Sequence, residues 1–192
     1  MNLFFKNFNK TKTEMAQVNL PMSDKRYDQI SARISQSYSN SCILWIDEIQ
    51  NAVLENEHNK LFEEISQKRP THTVKKLELF HGTAETNIAP IILDGFQVKY
   101  NKVGAYGKGT YFSTVANYSI NYAKDGKDTI CYMFLCSVIT GIPGSYASMQ
   151  EVNTTQHDNA VNSHINPTIY VTPYDYGGIP KYIIAFYKHA KV

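Results

Sequence analysis

At 192 residues the chain is about the size of one domain, long enough to bury a core without disulfides or a structural metal. With 43% hydrophobic and 19% charged residues it has an ordinary globular balance, and a formal charge of +2 with no Lys/Arg stripe argues against nucleic-acid binding through counterion release. Its three cysteines (Cys42, Cys131, Cys136) form no metal-like CxxC pair and point to a reduced, intracellular protein, cytoplasmic or nuclear.

Residues 1 to 38 are polar, rich in Asn, Lys, Ser and Gln without a sustained period, and read as a loosely ordered leader with one short helix near 25 to 34. The opening MNLFFKNFNK has only three consecutive apolar residues before a lysine, so it does not read as a signal peptide, and no window approaches the ~20 apolar residues of a membrane span. The domain is expected from residue 39 to 192. From Asp47 onward Ile49, Val53, Leu54, Leu61, Phe62 and Ile65 recur at helical spacing, predicting an amphipathic helix with a break near 56 to 59 and an end at Arg69-Pro70. Beyond Pro70, short apolar or alternating runs at 76 to 80, 110 to 113, 129 to 139, 168 to 172 and 181 to 187 read as strands. In the third of these, Cys131 and Cys136, five apart, point to opposite faces. Two short helices interrupt the strands. One runs from 85 to 93, with Pro90 as a source of a kink and Gly95 as its close; the other runs from 115 to 123 after a Ser113 or Thr114 cap. The class is α+β with a mainly antiparallel sheet.

"GAYGKGT" (104 to 110) looks like a phosphate loop, but that loop requires Ser or Thr after GK, and Gly109 follows Lys108. The glycines instead permit a tight, exposed loop from 100 to 109 leading into "TYFS". A histidine alone, such as His81 in "LFHGT", is more often a satisfied or surface residue than a ligand-binding one. The 14 tyrosines against 9 phenylalanines tilt toward aromatic rings with a polar tip, which suit the stacking of a flat ligand.

His81-Gly82, the glycine loop ending in Gly109-Thr110-Tyr111-Phe112, and "ANYSINYA" with Tyr118, Ser119 and Tyr122 together resemble the catalytic domain of the poly(ADP-ribose) polymerase family, the diphtheria-toxin-like ADP-ribosyltransferases. "WIDEIQNAVLENEHNKLFEEI" (45 to 65) is similar to the family's first helix, and "INPTIYV" (165 to 171) with "PKYIIAFY" (180 to 187) to its last strands. The resemblance covers residues 39 to 188 and implies a split, mainly antiparallel sheet with flanking helices, NAD⁺ as substrate and no metal. The chain leaves no room for the helical regulatory domain of the DNA-dependent members, so no activation by DNA nicks is expected, and no membrane partner.

Residue by residue, the resemblance implies that His81 bonds the adenosine ribose of NAD⁺ and that Gly82 gives its backbone N–H and C=O to the nicotinamide amide, where a side chain would block the approach. It implies that Tyr111 lines the nicotinamide-ribose pocket, Tyr122 stacks on the nicotinamide, and Ser119 bonds its amide. Thr83 and Tyr106 complete the implied donor-binding set. At the third motif, where polymerising members carry a glutamate, the alignment of "NPTIYV" puts Ile169, which can neither accept a hydrogen bond nor serve as base. The pattern His81, Tyr111, Ile169 goes in the family with transfer of a single ADP-ribose. The expected function is therefore mono-ADP-ribosylation of a protein, the chain itself included, with acidic side chains as preferred acceptors. A catalytically silent module that binds NAD or ADP-ribose, and a transferase acting on nucleic-acid ends, are the alternatives.

Overall fold

A computed structural model describes residues 15–39, 42–101, 103–123, 130–148 and 150–188. Its elements are β1 (Met15–Asn19), α1 (Lys25–Ser35), β2 (Cys42–Asn51), α2 (Ala52–Lys68), β3 (Lys75–Thr83), α3 (Ile88–Asp94), β4 (Val103–Gly104), β5 (Gly107–Lys108), β6 (Thr110–Ser113), α4 (Ala116–Ile120), β7 (Ile130–Thr140), β8 (Pro143–Gly144), β9 (Asn159–Val161), β10 (Ile169–Thr172) and β11 (Gly178–Tyr187). Among the described residues nine strands form one sheet in the order β1-β2-β11-β7-β3-β6-β10-β9-β8. All neighbours are antiparallel except β8 and β9.

The sheet is split at its middle. β3 pairs with β7 along its whole length, from Lys75↔Thr140 to Thr83↔Tyr132, but meets β6 at the single pair Phe80↔Ser113. The central strands alternate between two apolar layers. Cys131, Met133 and Leu135 of β7 join Phe80 and Ile46 in one layer, covered by Ile30 and Ile34 of α1 and by Ala116 and Ile120 of α4. Tyr132, Phe134, Cys136 and Val138 join Leu79 and Ile49 in the other, covered by Ile88, Ile91 and Ile92 of α3. Cys131 and Cys136 do point to opposite faces, as their odd spacing requires.

Three expectations are corrected. Residues 15 to 38 are not a loose leader: β1 extends the sheet through five pairs with β2, and Leu20, Ile30 and Ile34 are buried in the core. Residues 1 to 14 lie outside the described residues. The first helix begins at Ala52 rather than Asp47, because Asn51 turns the chain and accepts from the Leu54 N–H through its side chain; α2 then runs unbroken through 56 to 59. The helix expected from 85 starts as an α-helix only at Ile88, so Pro90 lies not at a mid-helix kink but in the first turn, where an amide proton has no intrahelical partner. α3 closes as expected at Gly95, whose N–H bonds the Ile91 carbonyl.

A second histidine, His58 on α2, is buried in the core. Its Nδ1 lies 2.6 Å from the carbonyl of Tyr176, which can only accept, so Nδ1 carries the proton and Nε2 accepts from the Ser137 hydroxyl at 3.1 Å. The bond anchors Tyr176 at a φ of 60°, a conformation costly for a bulky residue. Burial pushes the His58 pKa below its ordinary value. The folded protein therefore binds this proton less readily than the unfolded chain, so the stability it contributes is fully present above about pH 6.5 and declines as pH falls below that. Melting temperature followed from pH 7.5 to 5 should drop on the acid side, and more shallowly in His58→Gln. An equal slope in the two proteins would mean that His58 is not the group responsible.

Candidate active site

The site is built where β3 and β6 part. Past Phe80 the β6-facing edge of β3 has no strand partner among the described residues, and His81 spans the opening: its Nδ1 lies 2.8 Å from the carbonyl of Tyr111 on β6. That carbonyl fixes the tautomer, with the proton on Nδ1 and Nε2 left as an acceptor. Phe96 packs edge-on against the imidazole at 4.7 Å between centroids and Phe112 tilts against it at 5.5 Å. Burial holds the His81 pKa down to about 4, the bond to Tyr111 only partly opposing it, so the ring is neutral at physiological pH. His81 can therefore accept a hydroxyl proton from a ligand, in a geometry that neighbouring rings hold.

Gly82 is glycine for a reason the sequence does not reveal. A Cβ there would lie 1.7 Å from the Ser119 carbonyl oxygen and 3.0 Å from the Ala123 nitrogen, so α4 packs directly on the β3 backbone. Ser119 reinforces the contact: it is buried, and its hydroxyl donates to the Phe80 carbonyl at 3.0 Å. With its proton given away, its oxygen remains an acceptor. Thr83 is buried and accepts from the Asn87 side chain at 3.1 Å, tying the end of β3 to the turn before α3.

α4 is shorter than expected, ending at Ile120, and begins after Val115 without a side-chain cap. Ser113 serves the junction differently, accepting from the Val115 N–H at 3.0 Å and donating to the Thr168 carbonyl at 2.8 Å, which fastens β6 to the start of β10. Tyr122 lies just past the helix and is 54% exposed; its ring is 5.3 Å from that of Tyr118, and the two hydroxyls are 3.3 Å apart. Burial, then the bond to Tyr122, raises the Tyr118 pKa, and the two rings offer an aromatic surface with a polar rim.

On the other side of the split, Ile169 pairs with Ser113 and is 6% exposed. It belongs to a cluster with Val152, Ala160 and Val171, packed by Tyr106, Tyr111, Tyr118 and Tyr146. The loop before β10 is shaped by Asn162, whose side-chain oxygen accepts from the N–H groups of both Thr168 and Ile169 at 3.0 Å. The glycine loop is a β4–β5 hairpin rather than a freely exposed loop, with Gly107 and Gly109 buried.

The structure thus brings His81, Gly82, Ser119 and Thr83 together on β3 and α4, and Tyr106, Tyr111 and Ile169 into the facing cluster, with Tyr118 and Tyr122 on the α4 side. Phe96 and Asn162 shape the site without having been singled out, and Ser113, expected only as a helix cap, also ties β6 to β10; of the first two only Phe96 carries a signal, as the apolar residue after the helix-closing Gly95. Among the described residues no group of three or more His, Cys, Asp or Glu could hold a metal, and no helix is long and apolar enough to cross a membrane.

The sequence matches the family model of the poly(ADP-ribose) polymerase catalytic domain over residues 25–175. The chain is 31% identical over 183 residues to the human protein mono-ADP-ribosyltransferase PARP14, covering 89% of this chain and 10% of that protein. It is 24% identical over 184 residues to human protein mono-ADP-ribosyltransferase PARP12, with 91% and 26% covered, and 26% identical over 199 residues to mouse protein mono-ADP-ribosyltransferase PARP11, with 88% and 60% covered. The chain therefore spans between 10% and 60% of the length of these relatives. The family match opens at Lys25, the first residue of α1, in keeping with the packing of that helix on β3 and α4. A split sheet with a histidine and glycine at its opening, and a match over most of the sequence, lead to one conclusion: the chain belongs to the poly(ADP-ribose) polymerase catalytic domain family.

Proposed function

We propose that this protein is a mono-ADP-ribosyltransferase that takes one ADP-ribose from NAD⁺, releases nicotinamide and modifies acidic side chains of a protein acceptor, itself included. The observation that carries this reading is the arrangement of His81, Tyr111 and Ile169 on three successive strands of the split sheet, His81 bonded to the Tyr111 backbone and Ile169 in the cluster packed by the Tyr111 ring. The relatives named above as mono-ADP-ribosyltransferases support the same reading.

In this scheme Nε2 of neutral His81 accepts from the adenosine ribose, the backbone of Gly82 meets the nicotinamide amide, and the Ser119 oxygen accepts from the amide N–H₂. Tyr122 supplies a stacking face, which its exposure leaves open. Thr83 and Tyr106 border the donor. The C1″–N bond breaks with its electron pair leaving on neutral nicotinamide, and a carboxylate oxygen forms the new bond to C1″. A carboxylate ionised at pH 7 carries no proton to remove, so the apolar Ile169 in place of a base does not prevent the step. No element of this scheme calls on DNA.

Purified protein incubated with isotopically labelled NAD⁺ should gain single ADP-ribose units by intact mass, and His81→Ala should reduce the gain to background. A polymer ladder on a gel, or no increment in the wild type, would refute the proposal.

A further inference from the structure

The Tyr111 hydroxyl faces not an open pocket but a hairpin. It donates to the Gly107 carbonyl at 2.6 Å and accepts from the Tyr106 N–H at 3.0 Å. A phenol has a single proton, so this one is already given to the hairpin backbone. The ring is engaged as well: a Cβ on Gly104 would lie 2.4 Å from the Tyr111 Cζ, so the hairpin backbone rests on the ring, and only glycine permits that approach. Gly107 has a φ of +100°, which orients the accepting carbonyl and which other residues rarely adopt.

The hairpin needs such an anchor. β4 and β5 share two register pairs, Val103↔Lys108 and Gly104↔Gly107, and a two-stranded ribbon of that length does not hold its shape alone. On its outer side Lys108 donates from its backbone N–H to the Gln150 carbonyl at 2.8 Å and pairs through Nζ with Glu151 at 2.8 Å. The ion pair is exposed on both sides and holds weakly. The inner attachment is half-buried and makes two bonds. Tyr111 also accepts from His81 through its carbonyl, so one residue joins the histidine of the site to the hairpin.

We propose that Tyr111 is a positioning residue whose hydroxyl latches the 103–108 hairpin over the site, serving donor binding through the hairpin rather than by contact of the hydroxyl with the donor. This rests on the transferase reading above only where kinetics are concerned.

Tyr111→Phe keeps the ring and deletes both bonds. Hydrogen exchange at the Tyr106 amide should then rise by about tenfold or more, while amides paired between β3 and β7 keep their rates. The KM for NAD⁺ should rise by roughly three- to tenfold with kcat little changed, since a loosened hairpin weakens donor binding without altering the reacting groups. Unchanged exchange at Tyr106 overturns the latch, and so does a fall in kcat at constant KM, which would give the hydroxyl a part in the reaction itself. The exchange readout requires no transfer activity, so failure of the latch and failure of the transferase reading are told apart. If Tyr111→Phe does not fold, Gly104→Ala tests the same contact with the hydroxyl intact: its methyl group must push the hairpin off the ring, raising exchange at Tyr106 and the KM together, and a variant unchanged in both overturns the proposal.

Discussion

Gly82→Ala should be among the most damaging single substitutions in this protein, lowering stability by about 2–4 kcal/mol as well as removing transfer. The added methyl carbon would sit 1.7 Å from the Ser119 carbonyl oxygen and 2.7 Å from the carbon of that carbonyl, both backbone atoms of α4. No rotamer relieves a backbone clash, so β3 and α4 must separate. Overpacking of this kind costs about 1–3 kcal/mol, and the separation also stretches the Ser119 hydroxyl bond to the Phe80 carbonyl, worth about 1 kcal/mol. In a domain of this size that is a fall in melting temperature of roughly 5–15 °C. The measurement separates two reasons for the glycine. If its only purpose were to let nicotinamide approach, Ala would abolish donor binding and leave the melting temperature unchanged. A joint loss of both means that the glycine is first a packing residue, placing Ser119 beside the strand end where the donor is proposed to bind.

The strands around the site are legible in the sequence because they are apolar on both faces. "LELF" lies inside β3, "TYFS" coincides with β6, and the runs at 129 to 139 and 181 to 187 fall largely in β7 and β11, strands covered by helices or turns on each side. β2 is not legible, for a specific reason. Ile46 and Ile49 lie three apart, a helical spacing, although they serve opposite layers of the sheet. The polar residue that disguises the strand, Asp47, is buried because the side chains of Gln17 and Asn19 on β1 donate to it at 2.6 and 3.0 Å, from partners about thirty residues away. The packing of α1 is hidden in the same way: only Ile30 and Ile34 are buried in an otherwise polar helix, too few to mark a core element by periodicity. At the site itself the residue types are legible and their bonds are not. That Ser119 gives its proton to Phe80, and that the Tyr111 hydroxyl is taken by Gly107 and Tyr106, follows from where β3 and β6 part, a property of the whole sheet rather than of any window of sequence.

Asp158→Ala should destabilise the protein by about 3–5 kcal/mol, and the damage should spread toward Ile169. Asp158 and Arg69 form a pair whose side chains are only 2% and 11% exposed. Arg69 closes α2, and its Nε reaches both carboxylate oxygens at 3.1 Å while its two terminal nitrogens donate to the Thr154 and Thr155 carbonyls at 3.3 and 3.0 Å. The carboxylate also accepts from the Ile142 N–H at 2.8 Å. Removing it leaves a largely buried guanidinium without a counterion and a backbone donor without an acceptor, each costlier than the net worth of the bond it made. Asn is no remedy, because its amide group would present a donor either to Arg69 or to the Ile142 N–H. Asp158 stands directly before β9, which holds Pro143 and Gly144 of β8 on one side and Tyr170 and Val171 of β10 on the other. Exchange should therefore quicken first in β8, β9 and β10, whereas β3 and β7 stay protected until global unfolding. Since removing one partner strands the other, Arg69→Ala with Asp158→Ala should cost less than the sum of the two singles by about 1 kcal/mol or more, measured by denaturant unfolding. Strict additivity, or a loss below about 1 kcal/mol in Asp158→Ala alone, would mean that the pair is not what joins the end of α2 to the strand beside Ile169.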